Sequence, residues 1–265
     1  MLRALPRALC LSRPWRSPGA RDCASGVKTG APEIQVHALT GPDKGITEVL
    51  MNRPHARNAL GKVFVSELLE ALAQLREDQQ VRVLIFRSAV KGVFCAGADL
   101  KEREQMSAVE VGLFVQRLRG LMSEIASSAV MGLIETTRGL LPGAGGTQRL
   151  PRCLGVALAK ELIFTGRRLN GMQAHELGLV NHTVAQNEEG NAAYHRALTL
   201  AQEILPQAPI AVRLGKVAID RGMEVDIASG MAIERMCYAQ NIPTQDRLEG
   251  MAAFREKRPP KFVGK

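Results

Sequence analysis

The 265-residue chain is 46% hydrophobic and 23% charged, an ordinary balance for a soluble globular protein with a core of its own. Aromatic residues make up only 4%, so that core must be aliphatic, and no apolar run is long enough to cross a bilayer, which argues against membrane insertion. The formal charge of +9 is a weaker sign of nucleic-acid binding than it first suggests, because much of it sits at one end.

Residues 1–21 carry Arg3, Arg7, Arg13, Arg16 and Arg21 and no acid, with Leu2, Leu5, Leu9, Leu11 and Trp15 between them. This composition reads as a mitochondrial presequence, assigned to 1–31, and predicts a matrix location. Pro6, Arg7 and Arg13 interrupt the unbroken apolar stretch that a secretory signal needs. Ile34 to Leu39 and Ile46 to Met51 then read as strands around the turn Gly41-Pro42-Asp43-Lys44-Gly45. Val65, Leu68, Leu69, Leu72 and Leu75 recur at helical spacing. Val81 to Phe86 has the β-rich character of a buried strand and leads into a glycine-punctuated loop. A helix is predicted over about Ala108 to Ile125. From Thr147 the signals are helical over 156–164, 171–177, 189–204, 208–221, 225–240 and 243–254, with a short strand near Leu179 to Val184. The pattern is α/β, with a core over 32–190 and a helical region over 191–265.

The five cysteines are widely spaced and form no CxxC pair, which fits a reducing compartment better than a disulfide framework. The five histidines show no ligand spacing. His175 and His182 are read as isolated polar side chains, and no metal is expected.

Two segments carry chemistry. In Leu141-Pro142-Gly143-Ala144-Gly145-Gly146-Thr147-Gln148-Arg149-Leu150, three glycines within four residues allow backbone close to a ligand. Thr147 is read as the cap of the following helix, with Pro151 still near its first turn. A Walker loop would need Lys-Ser/Thr after the last glycine, and a dinucleotide fingerprint would need Gly where Gln148 stands, so both nucleotide readings fail. The second segment, Cys95-Ala96-Gly97-Ala98-Asp99-Leu100-Lys101, follows a buried-type strand. A backbone N–H exposed there suits an oxyanion, although a plain turn capped by Asp99 explains the same residues.

Taken in order, Asn52-Arg53-Pro54, Arg57-Asn58-Ala59-Leu60, Phe94 to Lys101, Leu141 to Leu150 and Leu162-Ile163-Phe164-Thr165-Gly166 resemble the enoyl-CoA hydratase/isomerase (crotonase) family. The resemblance runs from about residue 34 to the C-terminus. It implies a spiral of ββα units with a helical trimerisation region, a homotrimer or homohexamer, and an acyl-CoA thioester as substrate, with coenzyme A part of that substrate and no separate cofactor. It implies that Ala98 supplies one oxyanion N–H and that Glu135 is an acid/base at the α-carbon. Ala96, Gly97, Asp99, Leu100 and Lys101, with Pro142 and Gly143, would line the substrate site. Lys257, Arg258 and Lys261 would either meet CoA phosphates or form a solvated tail.

The resemblance breaks between the two segments. The family has a strand and a Gly-Gly-Gly turn there, giving a second oxyanion N–H and, in hydratases, a second Glu. Residues 100–134 contain no glycine-rich turn, and the gap resembles the loss of roughly thirty residues, one strand-turn-helix unit. Glu124 is read as a solvated helix carboxylate rather than a replacement. The predicted activity is an impaired hydratase-type lyase acting on enoyl-CoA. Isomerase and thioester hydrolase remain alternatives within the family, and a noncatalytic RNA-binding or assembly subunit is the alternative outside it. RNA is disfavoured because Arg76-Glu77-Asp78-Gln79-Gln80 stands where an RNA-binding member carries a lysine-rich helix, and such a patch releases few counterions.

Overall fold

The computed structural model describes residues 31–124 and 132–265. The presequence expected over 1–31 therefore lies outside the described residues apart from Ala31. So does most of the stretch around 125–132 at which the missing unit is expected.

Three strands form one sheet in the order β1 (Ile34–Ala38), β2 (Ile46–Met51) and β3 (Val83–Ser88), with β1 antiparallel and β3 parallel to β2. Val49 pairs with both Val36 and Phe86 across the sheet. Side chains alternate faces along a strand, and both faces of this sheet are used. Val36, Val49, Met51, Leu84 and Phe86 pack on α1 (Lys62–Glu77) through Phe64, Val65 and Leu68, and on α3 (Ala108–Glu124) through Phe114 and Leu118. On the other face Ile46, Val83 and Ile85 meet Ala197, Leu198 and Ala201 of α7 (Ala192–Ile204). The first part of the core is therefore a helix–sheet–helix sandwich, and the chain's chemistry-bearing loops leave from the carboxyl ends of β2 and β3.

Between α1 and α3 lies the five-residue α2 (Leu100–Glu104). The remaining helices are α4 (Gly146–Leu154), α5 (Val156–Thr165), α6 (Gly171–Glu176), α8 (Pro209–Gly222), α9 (Ile227–Asn241) and α10 (Gln245–Glu256). Leu162, Leu169 and Ala174 bury a small second core between α5 and α6. Helices α8 and α9 pack against each other, closest where Gly222 and Gly230 meet. No described helix is long and apolar enough to cross a membrane.

Three local expectations are corrected. Strand β3 begins at Val83 rather than Val81, because the Val81 N–H donates to Asp78 C=O and closes a turn, while the Arg82 and Val83 N–H groups share Gly45 C=O. No strand forms over 179–184. The Leu179 and Val180 N–H groups both donate to Ala174 C=O at the end of α6, so they have nothing to offer a ladder, and their side chains join the α5–α6 core. Thr147 does not cap α4. Gly145 does, with φ +94°, a conformation that costs glycine nothing and a β-carbon much.

Candidate active site

The loop that follows β3 is held by the segment that follows β2. Asn58 lies fully buried with its side chain donating to Ser88 Oγ at 2.9 Å and to Phe94 C=O at 3.0 Å. Ala96 N–H donates to Arg57 C=O at 3.1 Å. Leu60 and Ala98 then form a parallel bridge, in which Leu60 N–H donates to Gly97 C=O at 2.8 Å and Asp99 N–H donates to Leu60 C=O at 3.2 Å. In a parallel ladder the residue between two bonded neighbours turns its own N–H to the opposite side. The Ala98 N–H accordingly has no acceptor among the described residues, and Ala98 lines a cavity of about 1540 Å³.

Asp99 does different work. Its carboxylate accepts the Lys101 and Glu102 N–H groups that open α2 and takes a 2.8 Å ion pair from Arg53. Burial alone would push its pKa up, but the Glu102 N–H and the Arg53 guanidinium outweigh burial and hold the carboxyl below the usual carboxylate value. The half-buried Cys95 thiol beside it is pushed up by burial.

Glu135 lines the same cavity. It opens a single 3₁₀ turn, Glu135–Arg138, ended by Gly139 at φ +67°. The turn is pinned to α5 by a 2.6 Å hydrogen bond from Thr136 Oγ1 to Ile163 C=O. Glu135 Oε2 is buried without a hydrogen-bond partner among the described residues, an arrangement that costs free energy unless a ligand or a proton meets it. Arg138, Arg168, Gly143 and Ala144 continue the wall on that side. At another part of the wall Arg87 lies 4.5 Å from the centre of the Tyr194 ring and 3.8 Å from the buried Glu48. Burial, and then the hydrogen bond with Glu48, push the Tyr194 hydroxyl up to about 12. Ala98 and Glu135 thus line one cavity; an amide N–H is the kind of group that stabilises charge on an oxygen, and a carboxylate the kind that moves a proton at carbon.

The sequence profile of the enoyl-CoA hydratase/isomerase family matches residues 41–126 and 120–265. The chain belongs to this family. Among curated relatives of this family member, enoyl-CoA hydratase domain-containing protein 2 of Mus musculus is 80% identical over all of both chains. Its Homo sapiens counterpart is 76% identical over 98% of this chain and 99% of its own. Methylglutaconyl-CoA hydratase of Homo sapiens is 46% identical over 92% of this chain and 81% of its own. Among solved structures, an enoyl-CoA hydratase from Bacillus anthracis has a TM-score of 0.80 at 38% identity, covering 88% of this chain and 100% of that one. The fold is crotonase-like, and the relatives 73–80% identical to this chain are named mitochondrial; the chain is mitochondrial. The mouse alignment runs over 296 residues against the 265 of this chain, a surplus of 31. The two stretches of the family match meet at residues 120–126.

Of the residues expected in the site, this family member brings Ala96, Gly97, Ala98, Leu100, Glu135 and Gly143 to the lining of one cavity. Asp99, Lys101 and Pro142 are not part of that lining: Asp99 is tied into α2 and Arg53, Lys101 is exposed, and Pro142 is fully buried. The Glu124 side chain lies outside the described residues. Lys257, Arg258 and Lys261 lie away from the cavity. Arg258 makes a two-pronged ion pair with Glu249, at 2.6 and 2.9 Å, and the Lys261 N–H donates to the same carboxylate. A second cavity of about 350 Å³, walled by Ala208, Met251, Phe254 and Phe262 among others, holds none of the expected residues. His175 Nδ1 contacts Val180 C=O and His182 contacts Arg196, so the two histidines face different partners. The side-chain roles of Arg53 and Asn58 went unassigned from sequence, although Asn52-Arg53-Pro54 and Arg57-Asn58-Ala59-Leu60 mark both positions.

Proposed function

We propose that this protein binds an acyl-CoA thioester in the 1540 Å³ cavity and carries hydratase-type chemistry at a reduced rate. The observation that carries this reading is the sharing of one cavity by an Ala98 N–H and a Glu135 carboxylate oxygen that have no hydrogen-bond partner among the described residues. The thioester oxygen takes the Ala98 hydrogen bond, which strengthens as negative charge develops on that oxygen. Water oxygen bonds to the β-carbon as the C=C π bond breaks, one water O–H proton passes to the Glu135 carboxylate, and Glu135 delivers a proton to the α-carbon, so that it ends in the state in which it began. Coenzyme A enters as part of the substrate. The same parts would serve an isomerase moving a proton between carbons, or a hydrolase attacking the thioester.

The reduced rate follows from the gap between Asp99 and Glu135. Its sequence lacks the glycine turn that would give a second N–H, and the loss of one oxyanion donor lowers turnover by about two to three orders of magnitude. The 31-residue surplus in the mouse alignment and the break in the family match at 120–126 support an internal loss of one strand-turn-helix unit. A homotrimer or a pair of trimers in the matrix fits the exposed apolar side chains of α8–α10, among them Ile219, Met223, Ile227 and Phe254. RNA remains a poor fit.

Hydration of crotonyl-CoA by the wild-type chain and by Glu135→Gln tests the reading. The expected result is a wild-type rate a hundredfold or more below that of a full-length relative, with no residual rate in the variant. A family-like wild-type rate would sink the claim of impairment, and an unchanged rate in Glu135→Gln would show that Glu135 is not the acid.

A further inference from the structure

The buried cation Arg53 is not among the residues that line the cavity. Arg53 is 7% exposed, and its guanidinium donates from Nη1 to Asp99 at 2.8 Å and from Nη2 to Glu102 at 2.7 Å, while Nε lies 2.9 Å from Glu33 as an ion pair without hydrogen-bond geometry. Nη1 also donates to Ala59 C=O at 2.8 Å, and the Arg53 N–H donates to Asn58 Oδ1 at 2.8 Å. A planar fork with five donors can hold that many acceptors in fixed directions, which an ammonium cannot. The acceptors belong to three pieces of the site's frame. Glu33 precedes β1, Ala59 and Asn58 lie in the segment that pairs with the Ala98 loop, and Asp99 and Glu102 lie at and just after that loop.

We infer that Arg53 is a positioning residue: by fixing Asp99 and Ala59 at once, it sets the direction in which the Ala98 amide points into the cavity. The inference rests on the proposed thioester reading for its purpose, but not for its geometry. Ala98 sits between Gly97 C=O and Asp99 N–H, both bonded to Leu60, so its peptide plane can rotate only if that bridge opens. The bridge joins two short loops and, beyond the Ala96 N–H to Arg57 C=O hydrogen bond, has no further backbone rung among the described residues. Arg53 supplies the rest by clamping the residue next to each side of it, Ala59 beside Leu60 and Asp99 beside Ala98. Packing leaves room for the clamp only because residue 61 is glycine. A β-carbon there would stand 2.8 Å from Arg53 Nη1 and nearer still to the Glu102 carboxylate.

Arg53→Lys keeps the charge and loses the fork. Asp99→Asn keeps a side-chain oxygen to cap α2 and loses the ionic acceptor, which secures a folded variant if the first does not fold. Amide hydrogen exchange over residues 96–99 and over α8–α9 is measured in each purified full chain. The expected result is at least tenfold faster exchange in the loop, with α8–α9 changed less than twofold. Binding of free coenzyme A and the carbonyl stretching frequency of a bound enoyl-CoA are then compared. The coenzyme should bind within threefold of wild type, while the downshift of the thioester carbonyl is lost. Loop protection equal to wild type in both variants would overturn the inference. So would coenzyme affinity and carbonyl shift falling together, since a merely structural role moves both. A wild-type chain that produces no carbonyl shift counts against the thioester reading alone, and the exchange data still decide the role of Arg53.

Discussion

Two acids on one guanidinium respond to pH with opposite signs. Glu33 is raised above its ordinary value by burial, and further by Glu67, despite the Arg53 attraction. Asp99 is lowered, because its hydrogen bonds and Arg53 outweigh burial. For Asp99 the unfolded chain takes up a proton at a higher pH than the folded one. Its contribution to stability is therefore fully present above about pH 4 and is lost as pH falls through the lowered folded value. For Glu33 the folded chain protonates first, so acidification through its raised value favours folding. The pH dependence of the Ala98 amide resonance should accordingly change in two steps, the lower one below about pH 4. Asp99→Asn should remove that lower step and leave the other; persistence of both would mean that another group titrates there. At the same scale, Asn58→Ala leaves Arg53 N–H, Met51 C=O, Ser88 Oγ and Phe94 C=O without the side chain that bonds them. Its cost is expected to be about 3 kcal/mol, read from the denaturant midpoint. The most distant of these partners, Phe94, lies 36 residues along the chain from Asn58. Nothing in the sequence discloses them, because an Asn in a turn reads the same whether its amide faces water or three acceptors. The roles proposed for Ala98 and Glu135 rest on the order of motifs around them.

At the scale of elements, period was a good guide and edges were not. The spacing of Val65, Leu68 and Leu72 located α1, and the packing shows why: these side chains form its stripe against the sheet. The apolar residues at 179–184 were misread as a strand because helix-end packing and strand burial leave similar short runs. Helix α2 is too short for a period, and its one signal was the Asp99 cap. Glycine marks the elements in two opposite ways, and paired substitutions separate them. Gly61 lies at the start of α1 against the pinned Arg53–Glu102 pair, so Gly61→Ala should cost about 1–3 kcal/mol from overpacking. Gly112 lies exposed inside α3 with nothing within 4 Å of the site a β-carbon would take. Gly112→Ala should therefore stabilise by about 0.5–1 kcal/mol. Urea unfolding of the two variants would reveal the opposite signs, and equal effects would mean that the Arg53 cluster yields readily to a methyl group.

For the whole molecule, the decisive features are what the sheet lacks at its edge and how much space lies beside it. Among the described residues β3 has β2 on one side and no strand on the other, and Ile85, Phe86, Arg87 and Ser88 line the cavity. A parallel sheet is normally covered on both faces, and an exposed strand edge leaves an open ladder of N–H and C=O groups that invites other chains. The cavity is also larger than the roughly 300–1,000 Å³ usual for a small-molecule site. Both features are explained together if the proposed lost unit once paired with β3 and filled part of this space. Inserting a strand-and-glycine-turn unit after Glu124 should then act in three ways at once. It should raise the unfolding midpoint by covering β3, lower concentration-dependent light scattering by removing the free edge, and raise crotonyl-CoA hydration by about two to three orders of magnitude through the second amide donor. Stability and scattering report the sheet, whereas rate reports the oxyanion site. A restored chain that becomes more stable and less sticky without gaining rate would mean that the unit completes the fold but that Ala98 and Glu135 are not the catalytic pair.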